Sequence, residues 1–284
     1  MITTISDGRL FVDINSKGAE LWRIYDGAGN DFLWCGDSTF WGRRAPTLFP
    51  ICGGMEGDGY IYEGKEYYMP KHGFCRDAEF TLESVTPDRA VYLFRDNEET
   101  RKLYPFSFAF RIEYAIENGA LKVIYRVENT GEDTMYFSVG SHEAYACPEG
   151  IEGYDVEFEK SENLESLIIA DNLIQPGKTV IGENVKRLKM DYRYFQVDAL
   201  CFQNLKSKRI SLIGKDRRLD VEFDGFEYVL LWTKPNAPFL CIELNCGIDD
   251  YAGCDRILQH KKGNAFVESG KEFTLCHSMR FSKS

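Results

Sequence analysis

The sequence predicts an all-β protein, a large antiparallel β-sandwich with few short helices. Three observations predict it. Apolar and polar side chains alternate over one short stretch after another, Gly, Asn, Asp and Pro separate those stretches, and helical periodicity is nearly absent. The 284 residues are 44% apolar and 14% aromatic, ample for a packed core. No fixed-period repeat, low-complexity tract or Pro/Gly/Ser-rich linker interrupts the pattern. A single domain, residues 1–284, is therefore expected, with two antiparallel sheets packed face to face.

Taken in order, the first strands are expected at residues 8–14, 78–85 and 89–95. Asn97 to Leu103 reads as about two helical turns, stopped by Tyr104-Pro105. Phe106, Phe108, Phe110, Ile112 and Tyr114 then alternate with smaller or polar residues. After the turn signal Glu117-Asn118-Gly119 come Leu121, Val123, Tyr125 and Val127, which makes a long hairpin with one buried face. Further strands are expected at 135–141, 154–159, 209–213, 219–223, 227–232 and 239–245. The glycine-rich run Ile51 to Gly59 lacks a Gly-Lys-Ser/Thr ending and opens no helix, so it reads as a turn rather than a phosphate cradle. No Gly-x-Ser-x-Gly elbow supports a serine nucleophile.

Charge narrows the partners. With 34 basic and 45 acidic residues the net charge is −11, which disfavours nucleic acid and anionic membranes and leaves a small neutral ligand open. No stretch approaches the roughly eighteen apolar residues of a membrane helix. The N-terminus has neither a basic region nor a long apolar run, so a cytoplasmic protein is expected. Nine cysteines without a C-x-x-C pair read as free thiols in a reducing compartment, with no metal site. Nothing in the sequence specifies an oligomeric state.

Chemistry centres on two of the four histidines and one carboxylate. On the strand 239–245, Leu240, Ile242 and Leu244 share one face, while Phe239, Cys241, Glu243 and Asn245 share the other. A carboxylate and an amide beside an aromatic suit a sugar groove, and a desolvated carboxylate becomes a useful general base. His142 falls on a polar face with Tyr136, Ser138 and Gly140, leaving space for a ligand against the imidazole. His72 stands beside Gly73, and an extended segment would put Arg76 on its side, where both can donate to hydroxyls or to an anion. His260 and His277 carry no such signature and read as structural.

Together these segments resemble the aldose 1-epimerase (galactose mutarotase-like) family, most closely its divergent bacterial branch, over nearly the whole chain. The resemblance rests on Phe32-Leu33-Trp34, Ala45 to Gly53 (APTLFPICG), His72-Gly73-Phe74-Cys75-Arg76-Asp77 and Tyr104-Pro105-Phe106-Ser107-Phe108. It continues in Gly140-Ser141-His142-Glu143-Ala144-Tyr145 and Pro238 to Glu243 (PFLCIE). It implies the galactose mutarotase-like supersandwich and a cofactor-free interconversion of the α and β anomers of an aldohexose or derivative. It also implies Glu243 as base toward the anomeric hydroxyl, His142 as acid toward the ring oxygen, and His72 with Arg76 as sugar-holding groups. The chain departs from the family pattern in three places. Gly54 stands where a sugar-binding Arg is frequent, with Arg76, Arg43 and Arg44 as replacements in that order. Leu244-Asn245 follows Glu243 in place of Pro-Trp, and Glu143 follows His142 in place of Pro. Asp198 is the candidate for the family's sugar-binding Asp. Two alternatives stand beside this reading: a hexose-phosphate mutarotase with Arg76 and Arg43 or Arg44 on the phosphate, and a non-catalytic carbohydrate-binding sandwich.

Overall fold

A computed structural model describes residues 1–283. Strands β1–β3 (Ile2–Ser6, Leu10–Asn15, Glu20–Asp26) form a three-stranded sheet, and β4–β5 (Gly59–Tyr62, Lys65–Tyr68) a separate hairpin. Next come β6 (Thr81–Thr86), β7 (Arg89–Arg95), β8 (Phe108–Glu117) and β9 (Ala120–Asn129), then the short strands β10 (Met135–Phe137), β11 (Val139–Gly140) and β12 (Glu143–Ala146). A long hairpin follows, β13 (Asp155–Ala170) and β14 (Leu173–Lys189). The chain continues through β15 (Leu200–Gln203), β16 (Arg209–Ile213), β17 (Arg218–Asp224), β18 (Tyr228–Trp232) and β19 (Phe239–Cys246). It ends with β20 (Ala265–Val267) and β21 (Glu272–Ser282). The one α-helix among the described residues, α1 (Glu98–Leu103), begins where the Asn97 side chain accepts from the Glu99 and Thr100 amides while Thr100 Oγ1 accepts from the Asn97 amide. Among the described residues no helix is long and apolar enough to cross a membrane.

The layers of the sandwich are largely joined into one continuous hydrogen-bonded sheet. Fourteen strands join in the order β11-β19-β18-β15-β13-β16-β17-β21-β9-β8-β7-β6, with β12 also on β19 and β14 on β13. Six strand spacings separate β19 from β21, roughly 30 Å across a flat sheet. Yet Glu143 of β12, beside β19, meets His277 of β21 with 3.2 Å between Oε1 and Nε2. The sheet therefore curls over on itself, and the twist inherent in strands supplies the curvature. The enclosed core draws Phe110 and Ile112 from one end of the strand order and Leu240 and Ile242 from the other. The three-stranded sheet packs onto this core, pinned by the Tyr114 hydroxyl donating to the Ala19 carbonyl at 2.6 Å.

The hairpin of β8 and β9 forms as expected, in register from Phe108–Asn129 to Glu117–Ala120 around Asn118-Gly119. The stretch expected as one strand at 135–141 is broken after Phe137 and again after Gly140. The strand expected at 154–159 runs on to Ala170 and returns as β14 through a two-residue turn, Asp171-Asn172, both at positive φ.

Candidate active site

The register of β19 builds the site. Gly140 pairs with Asn245 on one side of the break and Glu143 with Ile242 on the other, so the same antiparallel register places His142 opposite Glu243. Ser141 keeps that register through the gap: its amide donates to the Leu244 carbonyl, and its hydroxyl accepts from the Leu244 amide. Cross-strand neighbours share a face. His142 Nε2 accordingly lies 3.4 Å from Glu243 Oε1, and the residues are only 8% and 3% exposed.

Both faces of β19 are covered. Leu240, Ile242 and Leu244 enter the main core, as alternation predicts. The opposite face lies under the 34–44 loop and the end of β18, where Trp34, Phe40 and Trp41 of the loop and Trp232 of the strand pack with Phe239 and Cys241. The Trp34 indole holds that loop by donating to the Trp41 carbonyl at 2.9 Å. Trp41 stacks on His142 with ring centres 4.9 Å apart, and Trp232 meets the same imidazole edge-on at 5.6 Å.

This enclosure sets the protonation chemistry. Burial pushes Glu243 well above the ordinary carboxylate range, opposed by the Lys71 ammonium and reinforced by Asp198 and Asp249. Burial pulls His142 down to about 3, with Lys71, Arg76 and Arg43 acting in the same direction. Cys241 Sγ, His142 and Glu243 present ligand-type atoms within 4.8 Å of one another. Burial and the Glu243 carboxylate push the Cys241 thiol well up, so it stands protonated and makes a poor metal ligand.

His72 reaches the same cleft from a turn. The segment is not extended: His72 and Gly73 both have positive φ, and Cys75–Asp77 is a 3₁₀ turn. Gly53 and His72 clasp each other. The Gly53 amide donates to His72 Nδ1 at 3.1 Å, and the His72 amide donates to the Gly53 carbonyl at 2.8 Å. An accepting Nδ1 leaves the ring proton on Nε2, a ready donor to a ligand. Burial, helped by His142, Lys71, Arg76 and Arg43, holds His72 well below its ordinary value and so neutral.

The cleft between these groups has a volume of about 280 Å³. Arg43, Arg76 and Asp198 line it. Arg44 does not: its guanidinium donates to the Trp22 carbonyl at 2.5 Å and stacks on the Trp22 ring, turned toward the three-stranded sheet. Asn245 is also outside the lining. Its Oδ1 lies against Gly140, where an added Cβ would come within 1.9 Å.

Lys71, Asp249, Trp41 and Trp232 line the cleft without having been singled out in the sequence. Asp249 follows β19, accepts from the Gly54 amide at 2.6 Å, and is pushed up by burial. Lys71 donates to Asn172 Oδ1 at 2.6 Å, at the tip of the β13–β14 hairpin. All four stand on loops or at a strand end, where alternation carries no signal.

With this geometry in place, comparison with known proteins decides the family. The aldose 1-epimerase family pattern matches residues 1–280. The chain belongs to the aldose 1-epimerase family. It is 31% identical over 280 residues to the plasmid-encoded protein LacX of Lactococcus lactis subsp. lactis, covering 92% of this chain and 93% of LacX. A galactose mutarotase related enzyme from Lactobacillus acidophilus superposes with a TM-score of 0.95 at 31% identity, covering 99% and 97% of the two chains. A galactose mutarotase-like protein from Lactobacillus casei ATCC 334 superposes with a TM-score of 0.92 at 26% identity, covering 99% and 100%. This aldose 1-epimerase family member is thus a sugar isomerase of the mutarotase type, and its fold is the galactose mutarotase-like one.

Proposed function

We propose that the protein interconverts the anomers of an aldohexose or close derivative, with Glu243 as base and His142 as acid. The observation that carries the assignment is their 3.4 Å contact inside a cleft walled by two indoles. Burial sharpens both reagents: raised proton affinity makes a carboxylate a stronger base, and lowered affinity makes an imidazolium a stronger acid. The pair holds one proton. In the dry cleft the neutral form is favoured, a carboxylic acid beside an imidazole. Transfer of that proton gives carboxylate and imidazolium, which sugar hydroxyls stabilise by hydrogen bonds as they enter.

In the reactive form Glu243 takes the proton of the anomeric hydroxyl. The C1–ring-oxygen bond breaks as the C1 carbonyl forms, and the ring oxygen takes the proton of His142. Rotation about C1–C2 and the reverse transfers close the ring on the other face. His72 donates through Nε2 to a sugar oxygen, while Asp198 and Asp249 accept from hydroxyls. A carbohydrate-binding module would need no acid opposite a base, which favours the enzyme. All nine cysteines are free thiols, which supports a reducing, cytoplasmic setting.

Anomer exchange of glucose and galactose, followed by magnetisation transfer, tests the assignment. Glu243→Gln is expected to slow exchange about 10²–10⁴-fold while sugar affinity stays within a few-fold. Full rate in that variant would remove Glu243 from the base role.

A further inference from the structure

One buried polar cluster takes no part in the proton transfers. Glu143 and Tyr145 share the face of β12 that looks into the main core, opposite to His142. There Glu143 Oε1 lies 3.2 Å from Nε2 of His277, which β21 delivers from the far layer. The two residues are 3% and 1% exposed. His277 is itself wedged between Tyr125 and Phe226, with ring centres 5.9 Å from each.

Stability does not explain this cluster. Glu143 Oε2, His277 Nδ1 and the Tyr145 hydroxyl are all buried without a hydrogen-bond partner among the described residues. Each unpaired buried group costs free energy, and well-packed apolar residues in place of a buried charged pair are often at least as stable. Departures of this kind are expected where function requires them.

The place of Glu143 in the fold links it to both reagents. It follows His142 in the chain and pairs across the strands with Ile242, the neighbour of Glu243. His142 sits in the gap between two stretches of ladder on β19, Val139–Gly140 and Glu143–Ala146. Backbone hydrogen bonds fix this segment within the plane of the sheet. They resist movement along the sheet normal less, and that is the direction in which side chains stand. A shift along it changes the 3.4 Å between His142 Nε2 and Glu243 Oε1. The Glu143 side chain runs along that normal and is tied at its end to the wedged His277 ring.

We propose that Glu143, anchored by His277, is a positioning residue that fixes the acid against the base from the opposite side of the sheet. This deepens the mutarotase reading and rests on its assignment of His142 and Glu243.

The test separates positioning from stability. Glu143→Leu and His277→Leu are made singly and together, and anomer exchange is followed well below the melting temperature of each variant, where all the protein is folded. Each single substitution strands its partner in the core and is expected to lower that temperature, and the double variant to recover it. Yet kcat is expected to stay about 10- to 100-fold low in the double variant with KM within a few-fold, because alignment is lost and sugar contacts are not. Glu143→Gln, whose amide still meets His277, is expected to regain about tenfold over Glu143→Leu. A double variant with the kcat of the original protein would overturn the assignment. If the double variant does not fold, Glu143→Asp decides, its side chain one methylene too short for the anchor. Lowered kcat at unchanged KM then supports positioning, and unchanged kcat refutes it. If the original protein exchanges no sugar, the mutarotase reading fails separately. The ring-nitrogen NMR signals of His142, one of only four histidines, then decide: displacement in Glu143→Asp supports positioning, and unmoved signals refute it.

Discussion

His142 lies with a ring face on Trp41 and its edge toward Trp232, surroundings that hydrate an imidazolium poorly. Its value near 3, together with a Glu243 held well above the carboxylate range, defines the pH interval in which the pair carries one proton. Taking up a second proton requires pH near 3, and losing the last requires pH above the raised Glu243 value. His142 does not titrate at the ordinary histidine value of about 6.5. His72, also held down, adds no inflection there. The expected log(kcat/KM) profile therefore carries no histidine inflection near pH 6.5. An inflection at that point, abolished by His142→Gln, would show that His142 titrates as an ordinary histidine and that burial does not govern it.

The β13–β14 hairpin decides what position 54 can hold. The family resemblance places a sugar-binding arginine there, yet a Cβ on Gly54 would lie 2.5 Å from the Asn172 carbonyl oxygen and 2.8 Å from Asn172 Cβ. The hairpin tip fills that space and brings the Lys71 ammonium to the cleft through Asn172 Oδ1. Gly54→Arg is thus expected to destabilise the protein by about 1–3 kcal/mol in chemical denaturation and to lower activity, because overpacking forces the tip outward. A gain in sugar affinity with unchanged stability would refute this. The hairpin also shows where the sequence was hard to read. The outer half of β14 is exposed on both sides and carries Pro176, Gly177 and Gly182, so no period of two marks it. Glu243 and His142 were legible because each is a titratable residue among apolar or small neighbours. Their opposition across β19 depends on a register that alternation alone does not reveal, and the loop-borne Lys71, Trp41 and Asp249 have no local pattern.

For the whole molecule, the buried site carries a pH signature in stability. His142 and His72 are held below their ordinary value. As pH falls through about 6.5 the unfolded chain takes up protons that the folded chain refuses, costing about 1.4 kcal/mol per pH unit for each histidine. Glu243 and Asp249 are held above theirs, so their contribution is complete below the ordinary carboxylate value and is lost as pH rises through the raised ones. Denaturant titrations across the pH range are expected to show falling stability on the acid side, with His142→Gln removing about one proton's worth of that slope. An unchanged slope would contradict the burial of a neutral imidazole.

The fold class was legible because alternation survives wherever one face is buried. The closing of one continuous sheet on itself was not, since contacts such as Glu143 with His277 span 134 residues. That contact has a consequence for how the protein comes into being. Glu143 follows His142 directly, and it is anchored from the far layer by a strand at the end of the chain. The segment that carries the acid is therefore held from two sides, by β19 beside it and by β21 across the core. Closures across such long sequence separations are slow, because the chain entropy of a large loop is lost before any contact repays it. Recovery of anomer exchange on refolding is thus expected to lag behind recovery of strand structure, and coincident recoveries would refute the dependence on this closure.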